Sequence, residues 1–122
     1  MSYEFYKILH SLSTMMVVMG LAGAAAVSVN GIAKKSNVFR KTLAITHGLG
    51  MFIALVAGFG LMARLQMVGQ GFPVWIWVKL SIWVAMGGLI ALIYRKPSSA
   101  KWVWWLILVL FGIAAYMARL KI

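Results

Sequence analysis

The chain has 122 residues, 64% of them hydrophobic, with 12 lysines and arginines, one acidic side chain and no cysteine. Glu4 is that acidic residue, so paired-carboxylate hydrolysis, carboxylate-built calcium or magnesium sites, cysteine zinc sites and thiol nucleophiles are excluded. The mean hydropathy of +0.96 indicates a membrane protein. In such a protein the net charge of +11 is typical of residues that set the orientation in the membrane and contact anionic lipid headgroups. We therefore expect no nucleic-acid partner.

Four stretches are apolar and long enough to cross a bilayer as helices, which takes about 20 residues each. We predict an all-α polytopic membrane protein in which residues 1–122 form a single four-helix bundle domain. The third span is long enough only if it extends back to Phe72, and it then contains Lys79. The predicted helices cover about residues 5–30, 40–65, 72–95 and 101–119.

Polar and helix-breaking residues separate the four spans. Asn30 and Gly31 close the first, and the two remaining breaks lie at residues 69–73 and 97–99. The connections are short, so consecutive helices are predicted to run antiparallel. The first span also resembles a secretory signal peptide, but Glu4 and the aromatic residues before the apolar run favour a retained helix.

The positive residues near the helix ends predict the orientation. Loops one and three carry seven of them: Lys34, Lys35, Arg40, Lys41, Arg95, Lys96 and Lys101. The opposite side carries four: Lys7, Arg64, Arg119 and Lys121. The positive-inside rule therefore predicts a multi-pass protein of the bacterial inner membrane with both termini outside.

Small and polar residues mark the helix faces that are expected to meet. On the first helix this face carries His10, Ser13, Thr14, Val17, Gly20, Ala24 and Ser28, and on the second it carries His47, Gly50, Met51, Ala54 and Gly58. The third helix offers Gly87 and Ala91, and the fourth offers Gly112 and Ala115. These stripes predict close packing, within the chain or in a homodimer.

Three ionisable residues fall inside the predicted spans, and such residues are candidates for function. His10 and Lys79 both lie roughly 10 Å below the outer surface, by the rise of a helix, and can therefore meet. His47 enters from the opposite side and should lie some 15 Å or more from His10, so the two histidines should not ligate one iron.

Ordinary structural roles remain open for all three. Lys79 could extend toward the headgroups or bind an anionic ligand, and His10 could bond to a neighbouring helix or ligate a metal. His47 is a secondary candidate, for which a headgroup or interhelical hydrogen bond is the simpler expectation.

Two short patterns resemble those of small bacterial membrane proteins of the SirB, CopD and HemJ-like group. Lys7-Ile8-Leu9-His10 is similar to the K-x-x-H that opens the first helix of HemJ-type protoporphyrinogen oxidases, and residues 75–80, WIWVKL, are similar to a W-x-x-x-K-L pattern in HemJ-type and SirB-type members. The resemblance implies a haem- or porphyrin-associated bundle in which His10 could ligate the iron of haem b and Lys79 could meet a propionate or assist proton movement.

Three functions remain from the sequence. The first is haem association through His10 and Lys79. The second is a structural or accessory subunit of a larger membrane complex. The third is a small dimeric transporter or channel, in which an anion path past Lys79 is the form to test because the spans contain no carboxylate.

Overall fold

The computed structural model describes residues 2–64, 71 and 73–120. The described chain folds into four long α-helices: α1 at Tyr3–Val29, α2 at Arg40–Arg64, α3 at Val74–Arg95 and α4 at Ala100–Leu120. Two single 3₁₀ turns, Lys34–Ser36 and Pro97–Ser99, lie in the first and third connections. No strand occurs in these described ranges, and the predicted break at residues 69–73 lies largely outside them.

Local sequence explains where the helices begin and end. The Ser2 hydroxyl accepts a hydrogen bond from the Phe5 amide at 3.1 Å and so caps α1, with Glu4 in the first turn. Gly31 follows α1 at φ +78°, a conformation that favours glycine. Pro73 precedes α3, and Pro97 begins the turn that leads into α4.

Helices α1 and α2 pack backbone to backbone through glycines. A Cβ atom added to Gly20 would lie 2.6 Å from the His47 Cβ atom, and one added to Gly50 would lie 2.8 Å from the Ser13 carbonyl oxygen. Gly60 meets the ring of Tyr6 near the start of α1. These pairs run in opposite directions along the two helices, so α1 and α2 are antiparallel, and the predicted contact faces of both helices are confirmed.

Helices α3 and α4 complete the bundle against α1. One buried apolar cluster joins three helices, with Val17, Leu21 and Ala25 from α1, Met86, Leu89 and Ile93 from α3, and Ala100, Val103 and Ile107 from the start of α4. A second cluster at the opposite end joins Met62, Trp75 and Ile76. The first cluster places the end of α3 beside the start of α4.

The predicted packing face of α4 was wrong. Gly112 and Ala115 are exposed, and a Cβ added to Gly112 would have no neighbour within 4 Å. The buried face carries Ala100, Val103 and Ile107, because α4 packs mainly through its first two turns. Of the two small residues predicted to mark the packing face of α3, one is packed and one is not. A Cβ on Gly87 would lie 2.8 Å from the Met51 Cε atom, whereas Ala91 is exposed.

All four helices are long and apolar enough to cross a membrane. Large apolar side chains cover the outside of the bundle, including Phe52, Val84 and Trp105, each at least 64% exposed. The seven positive residues of loops one and three lie together where α1 and α3 end and α2 and α4 begin. We call this the basic end, and the opposite end is the cavity end.

Candidate functional site

A cavity of about 600 Å³ lies between the four helices at the cavity end. Its walls come from residues 3–17 of α1, 51–62 of α2, 75–86 of α3 and 111–119 of α4. Most of the lining is apolar or aromatic, and its volume is within the range typical of small-molecule sites. A site of this composition suits a ligand with a large apolar body.

His10 lies in the wall of this cavity with its ring held in one orientation. The Nδ1 atom lies 3.0 Å from the Ala54 carbonyl oxygen of α2. Gly58 leaves space for the ring, since a Cβ atom there would approach the His10 Cε1 atom at 3.4 Å. A carbonyl oxygen can only accept, so Nδ1 carries the proton and Nε2 of the neutral ring keeps its lone pair.

Lys79 lines the same cavity from α3. Its ammonium nitrogen lies 5.9 Å from the centre of the Trp75 ring and close enough to His10 for the two groups to interact electrostatically. The structure therefore brings the two primary candidate residues to one cavity, from two different helices. The Lys79 ammonium group can attract an anionic group of a ligand, whereas the lone pair of His10 Nε2 can only accept a hydrogen bond or bind a metal.

His47 lies elsewhere and has a structural environment. It is 5% exposed, packs against Gly20, and hydrogen-bonds through Nε2 to the Met86 carbonyl oxygen of α3 at 3.2 Å. Gly20 follows His10 by ten residues on α1, which corresponds to about 15 Å along the helix. The two histidines therefore lie at different levels of the bundle, and His47 is not among the residues lining the cavity.

The side chains of the described segments hold no group of three or more His, Cys, Asp or Glu residues that could bind a bare metal ion. A single imidazole nitrogen, such as the Nε2 atom of His10, can bind a metal ion whose other ligands are supplied by a cofactor. Haem is the common biological case, in which a porphyrin supplies four nitrogens and the protein supplies an axial ligand.

Two positive residues at the mouth of the cavity were not predicted from the sequence to belong to the site, although Lys7 opens the K-x-x-H pattern. Lys7 lies one turn before His10 on α1, and Arg119 lies near the end of α4. Both are exposed and line the cavity. With Lys79 they give the cavity three cations, and no carboxylate is found among its described lining residues. The spacing of Lys7 and His10 on one helix face was the available signal for this arrangement.

Trp83 was also missed as part of the site. Its indole Nε1–H donates a hydrogen bond to the Met51 carbonyl oxygen at 2.9 Å, and both residues line the cavity. His47 makes the reverse connection, from α2 to the Met86 carbonyl of α3. These two hydrogen bonds connect α2 and α3 at the inner limit of the cavity, where Val17 also lies.

No family model matches the chain, and neither the curated proteins nor the solved structures include a significant match to it. The resemblance to the SirB, CopD and HemJ-like group therefore stays a prediction. Its two patterns contribute His10 and Lys79, which lie in the cavity described above.

Proposed function

We propose that this protein binds haem b in the cavity of its helical bundle, where the Nε2 atom of His10 would hold the iron. The observation that carries the proposal is the His10 hydrogen bond to Ala54, made by a ring that lines the cavity. A histidine that binds a metal through one ring nitrogen commonly donates its other ring N–H to a carbonyl oxygen, which fixes the tautomer and orientation of the ring.

The charges around the cavity support the same ligand. Haem has a broad apolar macrocycle and two carboxylates, and this cavity combines apolar walls with Lys7, Lys79 and Arg119. Lys7 and Arg119 are exposed at the mouth, where propionate groups would remain near water. When bound, haem would supply redox-active iron, and the polarity of the surrounding residues would tune its potential.

We also propose the membrane setting of this site. By the positive-inside rule, the basic end would lie on the cytoplasmic side of a bacterial inner membrane, in contact with anionic lipid headgroups. The cavity end then faces the outer side, together with both ends of the chain. Haem would reach the protein from that side or from the outer leaflet of the bilayer.

A haem titration of the purified full-length protein tests the proposal. We expect a Soret band that saturates at one haem per chain. His10→Ala should weaken binding at least tenfold and change the band, and Lys79→Met should weaken binding more modestly. The matched control is His47→Gln, which alters the other histidine of the chain outside the cavity and should leave the spectrum unchanged.

Chemical rescue separates a lost ligand from a damaged fold. In His10→Gly, free imidazole should occupy the space left by the side chain and restore the wild-type band. A wild-type protein that stays colourless after haem-supplemented expression and titration would overturn the proposal. A band of equal affinity in wild type and His10→Ala would overturn the assignment of His10 as the ligand.

A further inference from the structure

A fixed aromatic side chain lies near the inner limit of the cavity. Trp83 is half-buried and lines the cavity, and its indole N–H is bonded to the Met51 carbonyl oxygen of the facing helix. This bond holds the indole ring across the space between α3 and α2. Aromatic rings are wide and rigid, so a side chain anchored in this way makes a firm end wall.

The residues beyond Trp83 show that the cavity ends about one helical turn farther along α3, at Met86. Met86 follows one turn later, and its carbonyl accepts the His47 hydrogen bond. Val17 and Met86 belong both to the cavity lining and to the buried cluster that continues toward the basic end. The next members of that cluster, Leu21 and Leu89, are buried and absent from the lining. Solid packing therefore begins behind Met86, one turn beyond Trp83.

The cations lie toward the other end of the same cavity. Lys7 precedes Val17 by ten residues on α1, which places it about 15 Å away along the helix axis. Lys79 lies one turn before Trp83 on α3, at an intermediate level. A ligand whose anionic group is held near the mouth must extend its apolar body inward toward the indole ring.

We infer that Trp83 determines ligand specificity by limiting the length of the apolar body that the cavity accepts. The inference rests on the proposed function only in that the cavity holds an anionic amphiphile, and it does not require iron. The ligand class is a carboxylate with an apolar body, whose anionic group lies among the cations and whose far end meets the indole ring.

Straight-chain carboxylates test this inference on the full-length protein in a detergent without a carboxylate. Affinity is measured by thermal stabilisation over a series from about six to about sixteen carbons, since a ligand that binds the folded state raises its melting temperature. In wild type we expect affinity, expressed against the free aqueous concentration of the carboxylate, to rise about fourfold per methylene. The rise should stop at the length at which the chain reaches Trp83.

Trp83→Ala should move this limit to longer chains, because it removes the end wall. Trp83→Phe keeps an aromatic ring but loses the N–H donor, so it should move the limit less and serves as the variant that preserves packing. Trp105→Ala is the matched control, since it removes the same side chain from a position that is 65% exposed and outside the cavity. Its length limit should equal that of wild type.

The outcomes distinguish this inference from the haem proposal. An identical length limit in wild type, Trp83→Ala and Trp83→Phe would overturn the role of Trp83. This result would not bear on haem binding, which the haem titration tests separately. A shifted limit in a protein that binds no haem would support Trp83 and overturn only the haem assignment. No stabilisation of wild type by any carboxylate would overturn the inference directly.

Discussion

Gly20 of α1 lies so close to His47 of α2 that an added methyl group would fall 2.6 Å from the His47 Cβ atom. The same methyl group would approach the Leu43 carbonyl oxygen and the His47 amide nitrogen at 2.8 Å. Two of these three atoms belong to the α2 backbone, which cannot move without displacing the helix. The α1–α2 interface therefore requires glycine at this position.

Gly20→Ala should accordingly destabilise the protein, by about 1 to 3 kcal/mol as is typical of overpacked interiors. Gly112→Ala is the matched control, because it makes the same change within a helix where no neighbour lies within 4 Å. Midpoints of unfolding in detergent, compared between the two variants, separate the steric effect from the gain in helix propensity. Equal midpoints would contradict the close packing of α1 on α2.

Removal of the His47 side chain should destabilise the bundle without removing a cavity residue. His47→Ala leaves a void against Gly20 and loses the hydrogen bond to Met86, at a cost of about 2 kcal/mol or more. His47→Gln retains a side-chain donor and should cost less. The denaturation midpoints of both variants provide the measurement, and an alanine variant as stable as wild type would exclude this structural role.

The membrane orientation can be tested directly because the chain contains no cysteine. Ser98→Cys places a thiol in the exposed turn between α3 and α4 at the basic end, and Ser2→Cys places one beside the start of α1. With an impermeant maleimide added to intact cells, we expect Ser2→Cys to be labelled and Ser98→Cys to be protected. The reverse pattern would place the cavity end in the cytoplasm.

The basic end should bind anionic lipid. Its seven cations lie near the headgroup region of any bilayer that the four helices span, and each lysine or arginine close to an anionic surface contributes about 1 kcal/mol. Replacing Lys34, Lys35, Arg40 and Lys41 with glutamine should reduce the stabilisation by phosphatidylglycerol relative to phosphatidylcholine. The difference should also shrink as salt is raised. If the variant kept the wild-type preference for phosphatidylglycerol, and salt did not reduce that preference, these cations would not be the lipid-binding residues.

The sequence predicted the helices closely and one of the interfaces well. The predicted spans differ from the observed helices by at most two residues at any end, since apolar length and Gly or Pro breaks determine these limits. The α1 and α2 faces were recognisable because glycines alternate with His10, Ser13 and His47, polar residues that seek protein partners in a bilayer. Helix α4 has no such polar companions, so Gly112 and Ala115 gave a misleading signal.

The cavity itself was not predictable from one sequence. It exists because α2 and α3 are joined at its inner limit by side chains, Trp83 reaching Met51 and His47 reaching Met86, while apolar space remains between them toward the cavity end. The separation of two helices depends on their register and tilt, which residue spacing within each helix does not encode. The meeting of His10 with Lys79 was predictable, because both depths follow from helical rise.

The contrast between the two kinds of helix contact assigns different mechanical roles to the two halves of the molecule. Glycine contacts and the His10 bond join α1 and α2 along their length, so the backbones of these two helices are closely packed. Long side chains join α3 to this pair across the inner limit of the cavity, and side chains adjust by rotation where backbones cannot. The imidazole of His10 therefore belongs to the half of the molecule that is held by backbone contacts, and Trp83 belongs to the half that is held by side chains.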